Sequence, residues 1–107
     1  MKNSDTFGVH FILCTSRPQE GKFPVYARIT VNKSRCELAL QQYLLQQEWN
    51  SAKGMAKPKN DALRQFNSYL EEVRGKLARY YCDLLLEEKP FNATCIKEAY
   101  TGKIKQM

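Results

Sequence analysis

The sequence predicts an α+β fold: a three-stranded antiparallel β-sheet packed against a long C-terminal α-helix, followed by a short terminal helix. Three observations predict it. Residues 7–41 fall into segments that alternate with period 2, the signature of strands. Asn32-Lys33-Ser34 separates two of these segments so briefly that the flanking strands must be antiparallel neighbours. From residue 63 to residue 84, apolar side chains recur at spacings of three and four, the period of a helix with one buried face.

Strand one is Phe7 to Cys14. Phe7, Val9, Phe11 and Leu13 share one face; His10, Ile12 and Cys14 share the other. Both faces are rather apolar, which predicts a central or covered strand. Thr15 to Phe23 is a loop marked by Arg17-Pro18 and Glu20-Gly21. Strand two is Pro24 to Val31, with Val25, Ala27, Ile29 and Val31 inward and Tyr26, Arg28 and Thr30 outward. Strand three runs from about Arg35 to Gln41, with Cys36, Leu38 and Leu40 inward and Arg35, Glu37 and Ala39 outward. Gln42 to Asn50 fits a connecting turn or a short helix, with Trp49 as its anchor to the core. Ser51 to Lys59 contains Gly54 and Pro58 and reads as a flexible basic linker.

Asn60 is placed to cap the long helix, and Asp61 favours its first turn. Leu63, Phe66, Leu70, Val73, Leu77, Tyr80 and Leu84 form an unbroken stripe. Glu72–Lys76 and Glu71–Arg74 are spaced to pair along the helix. Gly75 is the weak point of the helix, which ends near Glu88. Asn92-Ala93-Thr94 reads as a cap for a short helix through Tyr100, stopped by Gly102. A helix over 60–88 is about 43 Å long, whereas a seven-residue strand spans about 23 Å. The stripe from Val73 to Leu84 therefore overhangs the sheet and needs the terminal helix, a second copy or another domain to cover it. The organisation is one module: 1–59 for the sheet with its basic loop, 60–107 for the two helices.

The chain has 107 residues and a net charge of +6. Residues 1–59 hold nine Lys or Arg against four Asp or Glu, a balance of +5; residues 60–107 hold eight against seven, a balance of +1. The positive field sits on the sheet half, which points to a polyanion as partner. No apolar run approaches a membrane span. The first residues, MKNSDTFGVHFILC, lack the pattern of a signal peptide, so a cytoplasmic protein with no membrane partner is expected. Cys14, Cys36, Cys82 and Cys95 have no CxxC spacing and read as free thiols. His10 and Cys14 share a strand face, but two further ligands have no source, and no metal or cofactor is expected. There is no Gly-rich phosphate loop and no nucleophile–base pair, hence no catalytic set and no small-molecule substrate.

The one site worth arguing is the outward row Tyr26, Arg28 and Thr30, flanked by Arg35 and Glu37 on strand three. Arg17, Lys22 and Lys33 lie around its rim, with Lys53, Lys57 and Lys59 in the linker. A sheet can enter the major groove of double-stranded DNA. Arg28 would then bond a guanine or a phosphate, Thr30 and Tyr26 a phosphate or a thymine methyl, and the rim lysines would add salt-sensitive phosphate contacts. The competing reading is an ordinary solvated face with an Arg28–Glu37 cross-strand pair.

Several segments together are similar to a known family. FILCTSRPQEGKFPVYARITVNKSRCELAL, Trp49-Asn50, LRQFNSYLEEVRGKLARYYCDLL and ATCIKEAYTGK resemble the N-terminal arm-type DNA-binding region of tyrosine recombinases (the phage integrase family) of Bacteroides-like bacteria. The pieces that carry the resemblance best are Pro24–Val31, Trp49, Asn67–Leu70 and Ile96–Lys103. The resemblance implies a three-stranded sheet on a helix that binds arm-type DNA sites while other domains bind the core site and cut. The family's Arg, His-x-x-Arg and Tyr catalytic set has no counterpart in this sequence. The chain is thus expected to be a non-catalytic, DNA-positioning part of a recombinase that serves DNA integration. QYLLQQ at 42–47 departs from the family pattern by being more apolar and Gln-rich. The alternative function is a protein-interaction module that pairs recombinase subunits through the stripe Leu63–Leu84.

Overall fold

Strands β1 (Phe7–Leu13), β2 (Phe23–Val31) and β3 (Ser34–Leu44) form one antiparallel sheet in the order β1-β2-β3. The computed structural model describes residues 6–102; the signal-peptide reading of the first five residues and Lys103 of the closing motif lie outside them. The α+β architecture is the predicted one. Val9, Phe11, Val25, Ala27, Ile29, Val31, Leu38 and Leu40 all turn to one side and are buried. Period-2 alternation therefore holds across all three strands, and this face is the floor of the core.

Of the two readings its sequence allowed, central or covered, the first does not hold: β1 is an edge strand. Its apolar second face comes from Ile12, which is only half-buried, and His10 beside it is exposed. The open edge is covered by other means. Arg74 donates from Nη1 to the Val9 carbonyl at 2.8 Å, and its guanidinium sits 5.1 Å from the centre of the Phe11 ring. The turn at 51–54 lies against the same edge: a Cβ on Gly54 would stand 3.3 Å from the Phe11 carbonyl oxygen. Gly54 also has φ +66°, so both the space and the conformation require glycine. An edge carbonyl satisfied by arginine and a strand flanked by a turn present no free template for another chain.

β3 is longer than predicted and reaches Leu44. Its pairing with β2 shifts between Pro24 and Tyr26, and Gln41 adopts φ +61°. This bulge keeps Gln41, Gln42 and Tyr43 exposed while returning Leu44 to the core. Strict alternation would have buried Gln42 beside Leu40, an unpaired amide in the core. A single 3₁₀ turn, Gln46–Glu48, follows. The basic segment at 51–59 is not a plain linker. β4 (Trp49–Asn50) and β5 (Met55–Ala56) pair as a small hairpin with residues 51–54 at its tip. Trp49 is buried, as expected of an anchor. Asn67 holds the hairpin from the helix: its Oδ1 accepts from the Ala56 N–H at 2.8 Å and its Nδ2 donates to the Ala56 carbonyl at 2.9 Å.

Helix α1 (Asp61–Glu87) begins at Asn60, whose side chain accepts from the Leu63 N–H at 2.9 Å. It runs unbroken through Gly75. Leu63, Leu70, Val73 and Leu77 are buried, and Phe66, Tyr80 and Leu84 pack partly buried against the same core. Glu71 and Arg74 approach to 3.6 Å, but Glu72 and Lys76 do not pair. Helix α2 (Ala93–Thr101), capped by Asn92 and ended by Gly102 at φ +82°, supplies the cover for the overhanging stripe. Its Ala93 and Ile96 are fully buried in the core that holds Val73 and Leu77. Three contacts fix this arrangement. Ser34 Oγ donates to the Val31 carbonyl and accepts from the Ala93 N–H at 3.0 Å, joining the β2–β3 turn to α2. Tyr69 on α1 lies beside Tyr100 on α2. Phe7 stacks on Tyr81, which meets Phe91 edge-on at 5.8 Å.

Candidate nucleic-acid interface

Because α1 and α2 both pack on the core face, the opposite face of the sheet is left to solvent. The strand register arranges it as a grid of three rungs. Gly8, Thr30 and Arg35 form one rung; His10, Arg28 and Glu37 the next; Ile12, Tyr26 and Ala39 the third. The middle column is the outward row of β2. Its three side chains are half-buried by their neighbours on the edge strands, whereas His10, Arg35, Glu37 and Ala39 are exposed.

The central rung carries the one ion pair of this face among the described residues. Arg28 donates to Glu37 Oε2 from Nη2 at 2.9 Å and from Nε at 3.2 Å. The predicted cross-strand pair is therefore formed, and Arg28 enters any binding event already engaged. Arg35 forms no ion pair among the described residues. An ion pair this exposed adds little to stability; its effect is to orient a side chain.

The face continues beyond Tyr26 into a concavity of about 310 Å³ lined by Arg17, Pro18, Gln41 and Tyr43, among others. Arg17 and Tyr26 are thus brought together, as are Arg28, Thr30 and Arg35. Lys22 and Lys33 are not part of this cluster. Lys22 bridges to Gln19 at the foot of the β1–β2 loop, and Lys33 lies in the β2–β3 turn, at the far end of β2. The nine-residue strand between them puts them on the order of 30 Å apart. They flank the face rather than build it.

Two further residues lie beside this face. His10 stands directly across from Arg28. Lys53, at the tip of the β4–β5 hairpin, lines a second concavity of about 470 Å³ with His10, Ile12, Arg28 and Arg74. The outward row of strand one was legible and could have placed His10. Lys53 was expected at the rim as part of a linker; it reaches the face because the hairpin folds back onto β1, which no local pattern encodes.

Burial pushes the Cys36 thiol up, opposed by the charge of Lys97 and a hydrogen bond from Thr94, all under α2. Burial, with Tyr100 beside it, pushes the Tyr69 hydroxyl up. All four cysteines are free thiols. Among the described residues no group of His, Cys, Asp and Glu could hold a metal ion, and no helix is long and apolar enough to cross a membrane.

Comparison with known protein families gives a match over residues 11–97 to a family described as the arm DNA-binding domain. The chain belongs to that family. The match takes in the sheet from Phe11 onward, the hairpin, all of α1 and the first turn of α2. The arm domain is the DNA-binding part found in tyrosine recombinases and integrases. Neither the search of curated proteins nor that of solved structures returned a match.

Proposed function

We propose that this arm domain binds arm-type sites on double-stranded DNA through the outer face of its sheet, positioning DNA for a recombinase whose catalytic groups lie outside residues 11–97. The observation that carries the reading is the division of the sheet: every helix covers one face, and the other presents Tyr26, Arg28, Thr30 and Arg35 in adjacent rows. Three strands about 4.8 Å apart place their outer axes roughly 10 Å from each other, close to the major-groove width of about 12 Å. Laid in the groove, the central row meets base edges. Arg17 at one end and Arg35 at the other reach the phosphates that border it, and Lys22, Lys33 and Lys53 extend the positive rim.

The stripe Leu63–Leu84 does not favour the alternative of a subunit-pairing helix, because the sheet, β5 and α2 take it up within the molecule. The test is a fluorescence-anisotropy titration of a labelled duplex at low salt, repeated as salt rises. Micromolar-range binding that falls linearly on a log–log plot against salt is expected. Arg28→Ala should weaken binding while the circular dichroism spectrum is unchanged. Absence of duplex binding at low salt by the folded protein would sink the proposal.

A further inference from the structure

We propose that Glu37 is a positioning residue that makes Arg28 a reader of guanine, so that the DNA bound by this face carries a G·C pair beneath the central rung. The inference rests on the sheet-face reading above and deepens it.

An acid at the centre of a DNA-facing surface weakens attraction to phosphate, so its presence there needs a chemical account. The geometry supplies one. A guanidinium has five N–H donors on a planar fork. Glu37 takes the Nε and Nη2 side of that fork, with both contacts made to a single oxygen, Oε2. The Nη1–Nη2 end keeps its donors, and Oε1 of Glu37 keeps its lone pairs. The rung therefore presents a pair of donors and, beside it, an acceptor. In the major groove, guanine presents the two acceptors O6 and N7, and its cytosine partner presents the N4 amino donor. The two patterns are complementary. An A·T pair offers N7 as acceptor but sets the N6 amino donor against the arginine, and the match is lost.

Charge and freedom point the same way. Paired with Glu37, Arg28 is close to neutral as a unit and contributes little to long-range attraction. Arg35, two residues from Glu37 along β3, forms no ion pair among the described residues and remains free for phosphate. Glu37 also holds the arginine in one orientation before binding, which reduces the ordering cost when it docks.

The experiment is selection of bound duplexes from a pool with a randomised central segment, by the full chain and by its Glu37→Ala, Glu37→Gln and Arg28→Lys variants. This is followed by affinity measurements on the selected duplex and on the same duplex with the guanine replaced. For the unaltered protein, replacing G·C by A·T, or guanine by 7-deazaguanine, should cost roughly tenfold or more. Glu37→Ala should bind the unselected pool more tightly, since an acid has been removed, yet lose most of the guanine preference; Glu37→Gln, which keeps an acceptor, should retain more of it. A purely structural role for Glu37 would lower both affinities together. A guanine preference left intact in Glu37→Ala, or selected sites with no guanine that depends on Arg28, overturns the inference while leaving the sheet-face reading standing. Failure of the unaltered protein to retain any duplex overturns both.

Discussion

The two faces of β2 are built from adjacent residues and obey different rules. On one side Val25, Ala27 and Ile29 have no exposed surface, and every atom is held by packing from β1, β3 and the helices. On the other, Tyr26, Arg28 and Thr30 are only half-covered, by side chains of their own sheet. The inner face derives its energy from removing apolar area from water. The outer face derives little from being folded: the Arg28–Glu37 ion pair lies at the surface, and its side chains are arranged without being needed for the arrangement. If the outer row binds DNA as proposed, one nine-residue strand separates stability from recognition at single-residue resolution. Changes on one face should move stability and leave recognition to follow the fold; changes on the other should move recognition alone.

The largest effect should come from the inner face. Ile29→Ala removes a fully buried side chain at the centre of the sheet and should cost about 2–5 kcal/mol, read as a lower midpoint in urea denaturation. DNA binding should then decline only in proportion to the unfolded fraction. Next is Asn67→Ala. It touches neither face directly, but it leaves the N–H and C=O of Ala56 without their partners. A loss of about 2 kcal/mol is expected, with faster amide hydrogen exchange concentrated in residues 49–56. If the loss were spread evenly over the chain, Asn67 would not be the fastening of that hairpin.

The inner face was readable because burial imposes strict alternation, and a fully buried row leaves a continuous apolar trace in the sequence. The long helix was readable for the same reason, together with a cap residue and an adjacent acid. What failed to show was everything set by contacts between distant segments. β1 carries apolar residues on both sides, yet it is an edge strand, because its cover is Arg74 and the 51–54 turn rather than a fourth strand. The bulge at Gln41 is a compromise between Leu40, Leu44 and the glutamine between them, and no turn residue announces it. The β4–β5 hairpin is two residues on each side, too short for any periodicity, and depends on a side chain eleven residues away. On the outer face, the row on β2 and its pairing with Glu37 followed from alternation and the short turn. The route by which Lys53 reaches the face and the separation of Lys22 from Lys33 needed the three-dimensional path of the loops.

A smaller effect of opposite sign tests the same division on α1. Gly75 is exposed and helical, and a Cβ added to it would meet nothing within 4 Å, so it serves no packing and lies away from the proposed sheet face. Gly75→Ala should raise stability by about 1 kcal/mol, seen as a higher denaturation midpoint with unchanged slope, and should leave duplex affinity as it was. A loss of affinity would mean that the solvent side of α1 also meets DNA, and that the sheet face is only part of the surface.

The smallest effect on stability, and the sharpest test of the outer face, lies between two arginines one rung apart. Arg28→Ala and Arg35→Ala should each change the unfolding free energy by less than about 1 kcal/mol, because the first breaks only an exposed pair and the second breaks none among the described residues. Their effects on DNA should differ in kind. Arg35, which forms no ion pair among the described residues, should act through phosphate: its loss should weaken binding to all duplexes alike and reduce the salt slope by about 1. Arg28, already neutralised by Glu37, should act through a base: its loss should leave the salt slope nearly unchanged and weaken the preferred duplex more than a random one. Both slopes come from the same anisotropy titrations, run over a series of salt concentrations. If Arg28→Ala flattened the slope as much as Arg35→Ala, the ion pair would open on binding and the central rung would be one more phosphate clamp. If the slopes diverge as expected, the outer face itself divides in two, with a neutral reading centre inside a charged frame.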